Sequence, residues 1–123
     1  PAPGGAAPGF SVSHSGSWVA CAVGTHPVGL DIEVRDSSRD LCALARQAFD
    51  ADETARWEQM QRWEPAARVE GFYRMWSEKE ARFKLGLAVG GHCVAVPHPE
   101  LSVVVCSTAQ PADVPQPVLV ALP

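Results

Sequence analysis

Apolar and polar positions alternate along residues 28–34, VGLDIEV, with the period of two that is typical of a β-strand. One face of this predicted strand carries Val28, Leu30, Ile32 and Val34. The opposite face carries Gly29, Asp31 and Glu33. The pattern predicts a strand with one side in a core and two carboxylates on the other side, which in an antiparallel sheet is usually the solvated side.

The residues before this strand predict a β-hairpin. Residues 10–13 and 18–23 are β-prone and are separated by a loop that contains Gly16. Residues 1–9 contain only Pro, Gly and Ala, so we expect a flexible leader there. A chain of 123 residues with 46% apolar side chains can bury one modest core, which predicts a single domain over residues 10–123.

The middle of the chain predicts helices. Residues 39–48 form a first helical pattern, and Asp50 with Glu53 forms a capping box for a second helix. Pro65 interrupts the second pattern, and a longer helix is predicted from about residue 66 to residue 86.

Short β-prone runs return after the long helix, at residues 93–96, 101–105 and 117–122. The order of strands, helices and strands predicts an α+β fold. In this fold an antiparallel sheet would pack against the long helix.

The charge of the chain restricts its partners. With 10 basic and 14 acidic residues the formal net charge is −4, which argues against non-specific binding to nucleic acid or to anionic membranes. All basic residues lie between Arg35 and Lys84. No apolar run reaches the length needed to span a membrane.

The cysteines form no CxxC pair. Cys21, Cys42 and Cys106 lie in apolar surroundings typical of reduced, buried thiols, which favours a cytoplasmic protein. Four residues near the C-terminus have metal-binding side chains: His92, Cys93, His98 and Cys106. Their spacing matches no common zinc site, so we expect two buried cysteines and two loop histidines instead.

The stretch FYRMWSEKEARFKLG, residues 72–86, places charge on an apolar face. The apolar stripe of its helical wheel contains Phe72, Met75, Trp76 and Phe83. Lys79 and Glu80 fall inside this stripe, whereas Leu85 and most of the charged residues fall on the opposite side. An inward carboxylate needs a partner or a cation, because an unpaired buried charge is costly.

Two carboxylates from the strand and one from the helix would form an oxygen-only site, which suits Mg²⁺. These residues are Asp31, Glu33 and Glu80. Lys84, one turn after Glu80, would either form an exposed i,i+4 pair with it or face a phosphate beside the metal. Lys79 would either lay its stem along the apolar stripe or make a functional contact.

The segment SVSHSG adds polar side chains near the predicted hairpin. Ser13 and His14 are neighbours on an extended segment and therefore face opposite sides, which disfavours a nucleophilic Ser–His pair. Hydrogen bonding to a phosphate is easier to build from these residues.

Three segments, SVSHSG, VGLDIE and FYRMWSEKEARFK, closely resemble in this order the signatures of 4′-phosphopantetheinyl transferases of the surfactin-synthetase-activating type. The resemblance covers about residues 10–88. The SHS element precedes GLDIE, as it does in the larger class built of two similar halves. The family transfers the phosphopantetheine arm of coenzyme A to a serine of an acyl or peptidyl carrier protein and leaves adenosine 3′,5′-bisphosphate.

The resemblance implies roles for individual residues. It implies three Mg²⁺ ligands that also engage the coenzyme A pyrophosphate: Asp31, Glu33 and Glu80. It implies Glu80 as the base for the serine hydroxyl and Lys84 as the stabiliser of the leaving phosphate. Ser13 and His14 would contact coenzyme A.

The resemblance also implies that this chain corresponds to the end of the first half plus most of the second. The basic residues that the other half offers to the 3′-phosphate of the coenzyme have no counterpart here. Such a chain would self-associate, use a partner or belong to a longer transferase or synthase.

Two other functions stay open at this point. One is a truncated, non-catalytic module that docks on a carrier protein or another partner through its helices. The other is a Mg²⁺-dependent phosphohydrolase, which needs the same acids but not the SHSG element, and which would release free phosphate without a carrier protein.

Overall fold

The computed structural model describes residues 9–86 and 91–123. Three strands come first: β1 (Gly9–Ser15), β2 (Trp18–Gly24) and β3 (Val28–Val34). Three helices follow: α1 (Leu41–Ala48), α2 (Ala51–Met60) and α3 (Pro65–Leu85). The remaining strands are β4 (His92–Ala95), β5 (Leu101–Ser107) and β6 (Val118–Ala121). The predicted leader lies outside the described residues, except for Gly9, which begins β1.

The strands form two antiparallel sheets, with the orders β1–β2–β6 and β3–β5–β4. In the first sheet Phe10 pairs with Val23, and in the second Asp31 pairs with Val104. The second sheet packs against α3 on one face and against the first sheet on the other. The prediction of an α+β fold with an antiparallel sheet packed against a long helix is therefore confirmed.

The core between the two sheets is built from β2, β3 and β5. Its buried members are Ala20, Ala22, Val28, Leu30, Ile32, Leu101, Val103 and Val105. Those from β3 belong to the face predicted as apolar from the alternation. Burial of apolar surface, worth about 25 cal/mol per Å², holds the sheets together.

The edge of β3 that faces β1 makes hydrogen bonds with serine side chains instead of a neighbouring backbone. The N–H groups of Leu30, Ile32 and Val34 donate to the Oγ atoms of Ser11, Ser13 and Ser15, at 3.0, 3.1 and 2.9 Å. Alternate residues of a strand point the same way, so a serine at every second position of β1 meets every second residue of β3. Because a buried N–H without a partner costs about 1–3 kcal/mol, these serines stabilise the junction of the two sheets.

Local signals set the helix ends. The predicted capping box is present at the start of α2, where Asp50 and Glu53 each accept the backbone N–H of the other at 2.9 Å. Pro65 is the first residue of α3, where its missing N–H has no intrahelical partner to lose. Gly86, with φ of 113°, ends that helix. Among the described residues, none of the helices is long and apolar enough to cross a membrane.

The buried side of α3 differs from the stripe on the helical wheel. Phe83 is 67% exposed, and Leu85 is buried, so both placements are wrong. The first part of α3 packs against α1 and α2 through Phe72, and the last part packs against the second sheet through Ala81 and Leu85. Because the neighbours change along the helix, a single stripe does not describe its buried side.

Gly29 allows α3 to approach β3 closely. A Cβ atom at this position would overlap the carbonyl oxygen of Ala81 and lie 2.7 Å from the backbone N of Leu85. The backbones of strand and helix are therefore in direct contact two residues before Asp31.

The structure corrects the expectation for the cysteines. Cys93 and Cys106 face each other across β4 and β5 and form a disulfide, whereas Cys106 was expected to be a reduced thiol. Their Cα atoms are 4.0 Å apart because opposite residues on paired strands lie close together, a proximity that the spacing along the chain does not reveal. Cys42 is exposed rather than buried.

Replacing Gly29 by Ala is expected to lower the free energy of unfolding by about 1–3 kcal/mol, because the added methyl group meets rigid backbone atoms of α3. The matched control is Gly71→Ala, in which the new methyl group meets the flexible ends of Met60 and Trp63 while helix propensity improves. Urea unfolding of the two variants measures the difference. Equal stability of both variants would contradict the close approach.

Reduction of the Cys93–Cys106 disulfide is expected to lower the free energy of unfolding by about 2–3 kcal/mol, because it releases a loop with a sequence separation of 13. The measurement is urea unfolding with and without a reductant. The reductant should not change the free energy of unfolding of the double variant Cys93→Ser, Cys106→Ser. An equal loss of stability in that variant would mean that the loss does not come from this disulfide.

Candidate functional site

The polar side chains of β3 lie under the C-terminal half of α3. Asp31 is only 5% exposed, whereas Glu33 and Glu80 are half-buried. Gly29, on the same side of β3, brings the helix close enough to cover Asp31. The face that usually stays solvated in an antiparallel sheet is here an internal layer that contains carboxylates.

The Asp31 carboxylate is buried with incomplete compensation. Its pKa is raised from 3.8 to about 7, mainly by burial and also by the negative charges of Glu33 and Glu80, although the Ser77 hydroxyl and Lys84 act in the opposite direction. Its Oδ2 atom has no hydrogen-bond partner among the described residues. A carboxylate in this state favours either a proton or a cation.

Glu33 is held by neutral donors. The indole N–H of Trp76 donates to its Oε1 atom at 3.1 Å. Burial raises the pKa of Glu33, with a further contribution from the charge of Glu80, while Trp76, Arg39 and the Ser15 hydroxyl lower it. The negative charge of Glu80 thus acts on both carboxylates of β3.

Lys84 connects α3 to both β1 and β3. Its Nζ atom donates to the carbonyl oxygens of Leu30 at 2.8 Å and Val12 at 3.3 Å, and it lies 4.0 Å from Oδ1 of Asp31. Lys84 is therefore directed into the layer of carboxylates. The contacts of Lys84 are therefore with β1, β3 and Asp31 rather than an i,i+4 pair with Glu80.

Lys79, whose contact was also left open, forms an ion pair with Glu53. Its Nζ atom lies 2.7 Å from Oε1 of Glu53, the same oxygen that accepts the N–H of Asp50 in the capping box. Lys79 therefore ties α3 to the start of α2.

Ser13 and His14 lie on opposite faces of β1, as expected for neighbours on a strand. Ser13 is buried and its Oγ atom accepts the N–H of Ile32, while the His14 side chain is exposed. The two side chains consequently do not form a nucleophilic pair.

The residues considered for a zinc site have other partners. Cys93 and Cys106 form the disulfide, and Nδ1 of His98 accepts the N–H groups of Glu100 and Leu101 at 3.0 Å. These three residues therefore have structural partners, although the disulfide is not the pair of buried thiols that was expected.

The chemistry of the donors at β3 and α3 fits Mg²⁺. Within residues 9–86 and 91–123, no three His, Cys, Asp or Glu side chains converge into a ready-made metal cluster. Mg²⁺, however, needs only one or two protein carboxylates, because water and substrate oxygens complete its coordination. The unpartnered Oδ2 of Asp31 and the mutual repulsion of the carboxylates are the features that a hard cation would relieve.

Sequence reasoning did not predict how three neutral side chains act on the carboxylates: Trp76 donates a hydrogen bond to Glu33, and the Ser15 and Ser77 hydroxyls lower the pKa values of Glu33 and Asp31, respectively. Trp76 lies one turn before Glu80, and Ser77 lies three residues before it, so both spacings are visible along the helix. A serine on the inward face of a helix is the signal that was available for Ser77.

Comparison with known proteins identifies relatives over most of this chain. The protein 4′-phosphopantetheinyl transferase gsp of Aneurinibacillus migulanus is 40% identical over 75 residues, which cover 61% of this chain and 30% of the relative. The transferase psf-1 of Bacillus pumilus is 47% identical over 77 residues, with coverages of 62% and 30%. Sfp of Bacillus subtilis is 32% identical over 75 residues, with coverages of 61% and 31%. The chain thus matches less than a third of the length of these curated relatives.

A family model matches residues 27–107, which include β3, all three helices and β5. The matched region contains the three carboxylates and Lys84, whereas Ser13 and His14 precede it. The match covers well over half of the chain, and it shows that the chain belongs to the 4′-phosphopantetheinyl transferase superfamily.

Proposed function

We propose that this chain carries the metal site of a Mg²⁺-dependent enzyme that transfers 4′-phosphopantetheine from coenzyme A to a serine of an acyl or peptidyl carrier protein. The observation that supports this most directly is the buried, incompletely paired Asp31 carboxylate beside Glu33, Glu80 and Lys84. Membership of the transferase superfamily gives this arrangement its reaction class.

The proposed reaction forms a bond between the serine oxygen and the phosphorus that carries the pantetheine arm. The bond from that phosphorus to the bridging pyrophosphate oxygen breaks, and adenosine 3′,5′-bisphosphate leaves. Mg²⁺, when bound by Asp31, Glu33 and Glu80, would neutralise charge on the pyrophosphate, the usual role of this ion in phosphoryl transfer.

Glu80 is proposed to accept the proton of the serine hydroxyl. Its carboxylate is half-buried on the part of α3 that covers β3, and a carboxylate within reach of the substrate hydroxyl can serve as a general base.

Lys84 is proposed to neutralise charge on the leaving phosphate. Two of the three N–H bonds of its ammonium group are directed at the carbonyl oxygens of Leu30 and Val12, so the group is held in place and the third N–H bond stays available.

Ser13 and His14 are proposed to contact coenzyme A. The Ser13 oxygen already accepts the N–H of Ile32, so Ser13 would donate its hydroxyl hydrogen to the ligand. His14 would contact the ligand from the exposed side of β1.

We propose that residues 10–123 act as one structural unit, which binds coenzyme A together with a second half. That half would come from the same protein, from a partner or from a second copy of the chain. The outer face of the β1–β2–β6 sheet has the composition of such a contact, because it exposes Phe10, Val12, Val23, Val118 and Val120. A cytoplasmic location is proposed.

The test of the proposed transfer is intact-mass spectrometry of an apo carrier protein incubated with the chain, coenzyme A and Mg²⁺. The carrier is expected to gain one phosphopantetheine group. The variant Glu80→Gln is expected to slow the transfer by at least about 100-fold, because it removes both a metal ligand and the base.

The matched control is Glu78→Gln on the same helix, since Glu78 instead forms an i,i+4 ion pair with Arg82. It should transfer at the rate of the unaltered chain. Release of free phosphate without carrier modification would favour the phosphohydrolase, and carrier binding without transfer would favour the non-catalytic module.

The pH dependence of stability tests the proposed metal site separately. The pKa of Asp31 is raised from 3.8 to about 7 in the folded chain, so the folded state holds a proton that the unfolded state has already released between these values. Without Mg²⁺, the free energy of unfolding should therefore fall as the pH rises from about 4 to about 7, by on the order of 3 kcal/mol. Urea unfolding across this pH range measures the slope.

The variant Asp31→Asn should remove most of this slope, with a smaller part left by Glu33, whose pKa is also raised. The control Asp52→Asn, at an exposed position in the first turn of α2, should keep it. Mg²⁺ should stabilise the unaltered chain most at the alkaline end of the range and should not stabilise Asp31→Asn. An unchanged slope in Asp31→Asn would contradict this account of Asp31.

A further inference from the structure

Ser77 is a fully buried polar residue that packing alone does not explain. Its side chain is 0% exposed, and its Oγ atom has no hydrogen-bond partner among the described residues. A small residue is needed where α3 lies close to the sheet, but an alanine would meet that need. A buried hydroxyl without a partner costs about 1–3 kcal/mol, so its presence calls for a function.

The geometry of helix and strand places Ser77 beside Asp31. Gly29 lies against Ala81, and one turn back along α3 is Ser77. Four residues of a helix rise about 6 Å and two residues of a strand rise about 6.6 Å, so the step from Ala81 to Ser77 matches the step from Gly29 to Asp31. Glu33 lies two residues after Asp31 on β3, and it accepts a hydrogen bond from Trp76, which precedes Ser77 on α3. Strand and helix therefore run in opposite directions at this contact, as the match of Asp31 with Ser77 requires.

Asp31 offers the acceptor that Ser77 lacks. Of the buried side-chain nitrogen and oxygen atoms in the described residues, Oδ2 of Asp31 and Oγ of Ser77 are the two without a hydrogen-bond partner. The Ser77 hydroxyl lowers the pKa of Asp31, as a donor to its ionised form does. A small rotation of the hydroxyl and the carboxylate would satisfy both groups at once.

We propose that Ser77 is a positioning residue whose hydroxyl donates to Oδ2 of ionised Asp31 and holds this carboxylate ready for the cation. The inference rests on the proposed function, because it assigns Asp31 to a Mg²⁺ site. Groups that orient metal ligands in this way typically contribute about 10–100-fold to metal affinity. The other oxygen of Asp31, Oδ1, stays on the side of Lys84.

The experiment titrates Mg²⁺ alone into the full chain and follows tryptophan fluorescence. The variant Ser77→Ala is expected to weaken Mg²⁺ binding about tenfold or more, while its melting temperature without Mg²⁺ stays the same or rises because an unpartnered hydroxyl has been removed. In the carrier-modification assay the same variant should need more Mg²⁺ for half-maximal rate and should recover its rate at saturating Mg²⁺.

The control is Ser107→Ala, which removes another fully buried hydroxyl, one that donates to the carbonyl oxygen of Pro27 instead. It should lower the melting temperature and leave Mg²⁺ affinity unchanged. Equal Mg²⁺ affinity in Ser77→Ala and the unaltered chain would overturn the positioning role. A loss of stability in Ser77→Ala with no change in Mg²⁺ affinity would assign Ser77 a structural role and would also overturn it.

Failure of the proposed metal site gives a different result. If the unaltered chain shows no Mg²⁺ binding by fluorescence or by thermal stabilisation, the proposed site itself is wrong. The proposed role of Ser77, which depends on that site, is then wrong as well. If the unaltered chain binds Mg²⁺ and Ser77→Ala binds it equally well, the site stands and only the role of Ser77 is overturned.

Discussion

The edge of β3 imposes the constraint on which the rest of the structure depends. Its N–H groups at Leu30, Ile32 and Val34 are satisfied by serine side chains of β1, while its other edge pairs with β5. With both edges satisfied, the strand is held in one register between a sheet and a helix. Its apolar side must then face the first sheet, and its two carboxylates must face α3.

Burying these carboxylates costs stability. Gly29 lets α3 approach so closely that Asp31 is almost entirely covered, and its pKa is raised by that burial and by neighbouring negative charge. Apolar side chains of similar size at these positions would give a more stable contact between helix and sheet. The proposed Mg²⁺ would offset this cost, because a hard cation matches the chemistry of buried carboxylates.

Different parts of helix α3 pack against different neighbours. Its first turns pack against α1 and α2 around Phe72, and Lys79 ties it to α2 through Glu53. Its last turns carry Glu80 and Lys84 to the carboxylates of β3. The ion pair and the aromatic packing thus fix the helix in the orientation that the proposed site requires.

The sequence by itself determined the features that depend on neighbours along the chain. The alternation in residues 28–34, the capping box at Asp50, and the helix ends at Pro65 and Gly86 all follow from short-range sterics and hydrogen bonds, and each was predictable. The grouping of the acids was also predictable, since the period of a strand places Asp31 and Glu33 on one face.

Only the tertiary structure decided which groups meet across elements. Phe83 and Leu85 exchange their expected places because α3 changes neighbours along its length. The disulfide follows from the register of β4 against β5, and the burial of Asp31 beneath α3 follows from the close approach at Gly29. Such contacts join residues far apart in sequence, and their geometry is set by the packing of whole elements rather than by any local pattern.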